Sequence, residues 1–237
     1  MSDAARLGFE VPGWTPPPRP DFAGLAGDWA AIERLSADAH AAELFHAYDG
    51  HDALWDYMLN GPFHSATQYH RWVRENESSL DPLHFAIRSK LTGKVGGTCA
   101  LLRINPEAGS VELGHIALSP ELQRRREATE AFCLLIGWAF EAGYRRFEWK
   151  CNALNMASRR AAQRLGLSFE GVFRQARVTK GRNRDTAWFA AIDSEWPALC
   201  EAFTAWLRPE NFDAEGRQKE RLSDLTGLVR AGSDPAL

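Results

Sequence analysis

Three groups of residues in this sequence have types and spacings that could do chemistry. Glu112 sits in the otherwise apolar run Val111–Leu118, where a period of two puts it on one face with Gly114, Ile116 and Leu118. A carboxylate in such a strand is costly unless it is paired or used at a cleft, so it reads either as a general base or as half of a buried ion pair with one of the arginines. His115 falls on the opposite face, with Val111, Leu113 and Ala117, and reads as a core histidine. The strand then passes through Ser119-Pro120 into Gln123-Arg124-Arg125-Arg126-Glu127-Ala128-Thr129 and directly into a helical pattern. The first N–H groups of a helix have no internal partner and carry the positive end of its dipole, so such a loop can hold phosphate oxygens, with the arginines adding charge. An ordinary strand-to-helix connection with exposed arginines would look the same. Lastly, Asn155 precedes a helical segment and Ser158 follows one turn later. The pair reads as a helix cap and a solvent-facing hydroxyl, or as contacts to a ligand.

The elements that must position these groups alternate in period. A strand is expected over Trp29–Leu35, helices over Ala37–Tyr48, His51–Leu59 and Ala66–Ser79, and a hairpin of Leu83–Arg88 and Lys94–Arg103 around Leu91-Thr92-Gly93. After the strand Val111–Leu118, the steps of four, three and four through Ala128, Phe132, Leu135 and Ala139 make a helix that Gly143 ends. Phe147, Trp149 and Cys151 alternate as a strand, and the helix opened by Asn155 stops at Gly166. Val172–Val178 and Thr186–Ile192 form a last hairpin, and Trp196–Leu207 a closing helix. The succession predicts one α/β domain over residues 28–207, a mixed sheet flanked by helices. Before it, residues 1–27 form an arm with five prolines between Pro12 and Pro20, laid across the domain through Trp14. Residues 208–237 read as a tail with one short helix around Gln218–Leu228.

Composition narrows the class. The chain has 237 residues, 45% hydrophobic, with a net charge of −3, which excludes a disordered or low-complexity protein. No apolar run is long enough to span a membrane and the first residues form no signal-peptide core, so the expected location is cytoplasmic. Cys99, Cys133, Cys151 and Cys200 make no CxxC pair and the histidines no HExxH, so neither a metal site nor a disulfide framework is expected. Half of the 28 Lys and Arg fall in Ser119–Arg184, against 6 of the 31 Asp and Glu. That excess suits a polyanionic ligand such as a nucleotide cofactor. Nucleic acid is disfavoured because Phe132, Trp138, Phe147 and Trp149 sit at core periods rather than among surface arginines.

The motifs together resemble the GCN5-related N-acetyltransferase (GNAT) superfamily, and within it the branch of ribosomal-protein N-terminal acetyltransferases. Gln123 to Ala128 is similar to the acetyl-coenzyme A loop, Gln/Arg-x-x-Gly-x-Gly/Ala, with Arg126 standing where the family has glycine. Glu112-Leu113-Gly114-His115 resembles the branch's Glu-Ile/Leu-Gly-Tyr/His strand, Asn155-x-x-Ser158 its Asn-x-x-Ser helix start, and Leu165-Gly166-Leu167-x-Phe169-Glu170-Gly171 its Leu-Gly-Phe-x-x-Glu-Gly turn. The resemblance spans Asp28 to Leu207.

It implies the GNAT fold and acetyl transfer from acetyl-CoA to a primary amine, a small molecule or a protein N-terminus, in a ternary complex. A homodimer is a candidate assembly and no metal is involved. The cofactor would be held by Ala117, Leu118, Gln123, Arg124, Arg125, Arg126, Glu127, Ala128 and Thr129, with Asn155 and Ser158 beside the pantetheine arm and thioester. Glu112 would be the base. The tyrosine with which many relatives protonate the thiolate is absent, because its position is Ala162; Ser158 first, Cys151 or a water would then serve, or the tetrahedral intermediate would collapse without a dedicated acid. A non-catalytic acyl-CoA-binding module of the same fold is the alternative. The arm and tail are expected to lie outside the active site, and Trp55, Tyr57, Tyr69, Trp72 and Trp188 are candidate walls of the acceptor pocket or plain core filler.

Overall fold

The computed structural model describes residues 7–237; the first six residues of the expected arm lie outside the described part. Eight strands form one sheet in the order β1-β2-β3-β4-β5-β6-β8-β7: β1 (Gly24–Ala26), β2 (Ala30–Arg34), β3 (Leu83–Ser89), β4 (Val95–Asn105), β5 (Ser110–Leu118), β6 (Arg146–Asn152), β7 (Ser168–Thr179) and β8 (Arg182–Ile192). All neighbours are antiparallel except β5 and β6, which are parallel and therefore need a crossover. That crossover is α3 (Arg126–Glu141). It buries Ala128, Phe132, Leu135 and Ala139, the expected stripe, together with Ala131 and Ile136, against Phe85, Leu113 and Phe147 on one face of the sheet. The chain turns out of it at Gly143, whose φ of +96° a side chain would resist. On the opposite face α1 (Ala37–Tyr48) and α2 (Ala66–Asn76) pack Leu44, Tyr48, Tyr69 and Val73 over Ala86, Val95 and Ala117. α4 (Met156–Arg164), α5 (Trp196–Leu207) and α6 (Leu222–Thr226) complete the α3 side.

The mixed α/β architecture is as expected, with local differences. Only a single 3-10 turn, Asp52–Trp55, forms where His51–Leu59 was expected to be helical. Trp55 folds inward against Tyr48, Phe63 and Tyr69, and its ring lies against Gly61, where a Cβ would come within 2.5 Å. β7 begins at Ser168, four residues before the expected strand, because Gly166 turns the chain straight back into the sheet. The proline arm does lie across the domain: Tyr144 Oη donates to Pro18 O (3.0 Å), Arg145 lies over the Trp14 ring, and Phe22 stacks on Phe85 before the chain enters β1.

Residues 208–237 were read as a tail because they show no long apolar period, yet they pack closely on α4 and α5. Leu222 and Thr226 are fully buried, and Asp234 is buried in a pair with Arg159 (Oδ2 to Nε, 2.6 Å). Trp206 Nε1 donates to Gln218 Oε1 at 2.8 Å. Among the described residues no helix is long and apolar enough to cross a membrane, and no cluster of three or more His, Cys, Asp or Glu is placed to hold a metal.

Candidate active site

A cleft of about 1580 Å³ opens at the N-terminus of α3. Ser36, Ser65 and Asn155 cap α1, α2 and α4 through their side chains, whereas Arg125, at the corresponding position of α3, makes no such bond. The first amides of α3 therefore have neither an intrahelical carbonyl nor a side-chain acceptor, the arrangement that suits an anion. The loop is drawn close to the sheet by Gly96 and Gly97 on β4: a Cβ on Gly97 would meet Leu118 at 2.8 Å and Leu122 at 3.0 Å. Gln123 ties it down by donating from Nε2 to Leu118 O at 3.0 Å.

Arg124 adopts φ +61°, the left-handed region a glycine would enter freely. Arg126 turns its guanidinium away from the helix axis, stacking 3.5 Å over Trp29 and 5.1 Å from the centre of Phe212. The side chain that replaces the family's glycine is thus drawn off toward the tail, leaving the loop backbone uncovered. The Glu127 carboxylate accepts from Ser89 Oγ (3.1 Å) and the Thr129 hydroxyl from Arg164 (2.9 Å), so both would act on an anion through backbone groups. Ala128 is buried in the core beneath them. Phe212 to Gln218 of the tail form one wall of this cleft, opposite to the expectation that the tail stands apart.

From the cleft a wedge runs into the sheet. β5 and β6 pair only over Ser110 to Leu113, opposite Arg146 to Trp149; beyond that Gly114–Leu118 and Lys150–Asn152 diverge, each still paired to its outer neighbour. Leu118 lines the cleft, whereas Ala117 is buried and its carbonyl accepts from Tyr48 Oη at 3.1 Å. At the mouth of the wedge β5 bulges: Ala100 pairs with Gly114 and Thr98 with Ala117, so two residues, His115 and Ile116, oppose Cys99. His115 takes φ +50° there. The extra residue inverts the alternation, so that Ile116 and Leu118 pack against the α3 core while His115 joins the Glu112 face, correcting the period-two assignment.

On that face Glu112 is buried and saturated. Its oxygens accept from Arg103 Nε (2.7 Å) and Nη2 (2.9 Å) and pair with Lys150 Nζ (2.8 Å). Lys150 also reaches Glu148 (2.9 Å) and lies 3.5 Å above the Trp188 ring, and Arg146 links Glu148 to Glu170. Of the two readings of Glu112, the ion pair is the one these contacts satisfy: all three charge-assisted bonds fall on the oxygens that a base would need free. His115 stands edge-on to His84, 5.2 Å between centres. Burial, then the nearby positive charges, hold His115 below the ordinary histidine range against the pull of Glu112. Burial pushes His84 down to about 4, and neither of its ring nitrogens has a partner among the described residues.

Across the wedge Asn155 caps α4, its Oδ1 accepting from Ser158 N at 3.0 Å. The Ser158 hydroxyl accepts from Trp149 Nε1 (2.9 Å), which leaves its own proton free to donate. Cys151 is pushed up to about 11 by burial, and Ala162 is buried in the core. Tyr69 and Trp55 are core filler, Tyr57 is partly exposed, and Trp72 lies against His84. The bulge at His115, the His84 contact and the Trp149–Ser158 bond escape sequence reading; the Gly114-His115 step was the one local signal for the first.

An acetyltransferase (GNAT) domain model matches residues 31–168, more than half of the chain. The chain belongs to the GNAT acetyltransferases. As such it is an acetyl-CoA-dependent N-acetyltransferase. This GNAT protein is 44% identical to a GCN5-related N-acetyltransferase from Brucella melitensis, whose crystal structure superposes with a TM-score of 0.89 over 92% of this chain and 100% of that one. It is 28% identical over 159 residues to an uncharacterised N-acetyltransferase of Bacillus licheniformis, covering 65% of this chain and 89% of the relative. It shares its fold with a Salmonella typhimurium acetyltransferase that modifies the N-terminal serine of a 50S ribosomal subunit protein, 20% identical, TM-score 0.61, over 70% of this chain and 96% of that one. The GNAT fold binds acetyl-CoA, and the uncapped helix and cleft of this chain are chemically suited to its pyrophosphate.

Proposed function

We propose that the protein transfers the acetyl group of acetyl-CoA to a primary amine by direct attack, with both substrates bound in the wedge between β5 and β6. The observation that carries this is that Leu118, at the end of the diverging part of β5, lines the same cleft as the uncapped α3 N-terminus. Gln123 to Thr129 would hold the pyrophosphate through backbone N–H groups and the flanking arginines. Leu118 and the Asn155–Ser158 turn would flank the pantetheine arm, and Ser158, already held by Trp149, would offer its proton to the departing sulfur. Acetyl-CoA supplies an activated acyl carbon; the N–C bond forms as the C–S bond breaks.

The acceptor arrives as an ammonium and must lose a proton. Glu112, the base expected from the sequence, is on the correct face but is occupied by Arg103 and Lys150. We therefore assign proton acceptance to the neutral ring of His115, with Glu112 close enough to stabilise the imidazolium that results.

Calorimetry with CoA, then CoA thiol release in a panel of N-terminal peptides and small amines, tests the reading. CoA binding with amine-dependent release is expected; binding without release from any amine would make the protein a non-catalytic acyl-CoA module. The kcat/KM profile should fall toward acid through an apparent pKa below 6.5, since the base must be unprotonated and burial lowers it. That acid limb should vanish in His115→Ala. A limb unchanged in the variant would return the role to Glu112.

A further inference from the structure

The charge network on the Glu112 face stops being balanced at one place. Passing along the face, Arg103 and Lys150 are met by Glu112, Lys150 and Arg146 by Glu148, and Arg146 again by Glu170. Farther along, Arg177 on β7 and Arg184 on β8 are register partners, two like charges directly opposed across an antiparallel pair. Such a pairing is destabilising on its own. Neither guanidinium has a salt bridge or hydrogen bond to any described residue, and Arg184 Nε is buried without an acceptor. On the same strand and face, four residues on, Trp188 presents a buried indole N–H that is likewise unpartnered, beside Phe173 at 4.7 Å between ring centres. The β7–β8 hairpin is fixed in place at its tip, where Lys180 Nζ donates to Trp55 O at 2.8 Å, so these donors are held in position. Asp185, the nearest carboxylate in sequence, points to the other face, accepting from Gln175 N (2.7 Å) and Asn183 Nδ2 (2.9 Å).

Two opposed cations whose charge reaches His115, with one orphaned donor on Arg184 itself and another on Trp188, make an anion receptor. Resting on the acetyl-transfer reading, we infer that the acceptor amine carries an anionic group, a carboxylate or a phosphate, which is bound between Arg177 and Arg184 while its amine faces His115. The planar fork of arginine suits either oxyanion, and the aromatic pair Phe173 and Trp188 would lie along the spacer between the two ends of the acceptor. Selection then works through the buried donors: an acceptor without the anion leaves Arg184 Nε and Trp188 Nε1 unpaired, while the exposed Arg177 keeps its hydration and adds attraction only.

The test uses full-length protein saturated with acetyl-CoA and amines in matched pairs: phosphoethanolamine against ethanolamine, and the dipeptide Ser-Glu against Ser-Gln amide. The anionic member should show at least a tenfold higher kcat/KM, the phosphate and carboxylate pairs separating the two anion sources. In Arg184→Gln and Arg177→Gln the ratio within each pair should collapse toward one through a rise in KM of the anionic member, with partial recovery in Arg184→Lys. CoA affinity measured by calorimetry on each variant reports whether it is folded. If no amine turns over, phosphoethanolamine titrated into the CoA-saturated protein must still bind more tightly than ethanolamine, and less so in Arg184→Gln. Equal or inverted preference with intact CoA binding overturns the anion site and leaves acetyl transfer standing. Absent CoA binding overturns the underlying reading instead.

Discussion

The N-terminus of α3 and the Glu112 face lie on the two sides of one wedge, and they handle polarity in opposite ways. At α3 the polar groups are backbone amides with no formal charge, left without a cap while the neighbouring helices α1, α2 and α4 receive one. Around Glu112 there are full charges, from the buried Glu112 and Lys150 to the half-exposed Arg103, almost all paired, with unused capacity among the described residues at His84, His115, Trp188, Arg177 and Arg184. What marks a ligand site is unused bonding capacity rather than charge density. Glu112 is the most conspicuous ionisable group in the sequence, and it is the one that its neighbours have already satisfied.

The sharpest way to break this comparison is to remove the structure that closes the open side. Deleting residues 217–237 takes away Leu222 and Asp234, strands Arg159 in a buried position and opens the wall beside Arg126. An uncompensated buried charge alone costs about 4 kcal/mol, so the melting temperature should drop by more than roughly 10 °C, with weakened CoA binding. A truncated protein that melts and binds like the full chain would show that the tail is only attached to the surface.

On the filled side, Glu112→Gln leaves Lys150 with one carboxylate and Arg103 with none. A loss of about 3 kcal/mol is expected, read as a melting temperature lower by roughly 10 °C, with kcat at 25 °C kept within about tenfold. The opposite result, unchanged melting with kcat down by roughly 10² to 10⁴, would restore Glu112 as the base.

His84 tests the unsatisfied part of the same face. Its folded pKa of about 4 lies below the free value of 6.5, so the unfolded chain takes up a proton first as pH falls and stability is lost between these two values. Replacing it by Leu removes that proton uptake. Denaturant melts from pH 7 to pH 4 should therefore show the variant losing roughly 3 kcal/mol less than the parent. Parallel curves would mean that the ring is hydrated or paired.

The smallest effect belongs to the open side. Arg124→Gly relieves a left-handed residue, offset by greater freedom in the unfolded chain, and should raise stability by at most about 1 kcal/mol. CoA affinity should change only a few-fold, since the backbone N–H groups stay in place and Arg125 still flanks them. A loss of 10² or more would show that the Arg124 guanidinium itself holds the phosphate.

The helices were legible from their amphipathic stripes: Ala37–Tyr48 and Trp196–Leu207 begin and end where their patterns do. The loop before α3 was legible because strand, loop and helix leave a periodic trace on either side of it. His115 was not, because a bulge adds one residue to a two-residue period and changes no composition. The His51–Leu59 segment misled for a different reason: its apolar residues are spaced for a helix, but it forms only the Asp52–Trp55 turn, from which Trp55 enters the core. The tail was illegible because its buried residues, Leu222, Thr226 and Asp234, are singletons that repeat at no period, and Thr226 and Asp234 are tied to the domain by distant partners, Arg164 O and the Arg159 guanidinium.

The parting of β5 from β6 also changes what kind of surface the sheet offers. Each strand keeps its ladder with its outer neighbour, so the gap exposes two rows of main-chain donors and acceptors in the middle of the sheet instead of at its rim. An exposed rim invites other chains to add a strand and aggregate. An interior margin, closed on both sides by the rest of the sheet, admits only something slender and extended that enters lengthwise. The fold thus keeps an interior strand position that a slender, extended segment can occupy and that the folded edge of another sheet cannot.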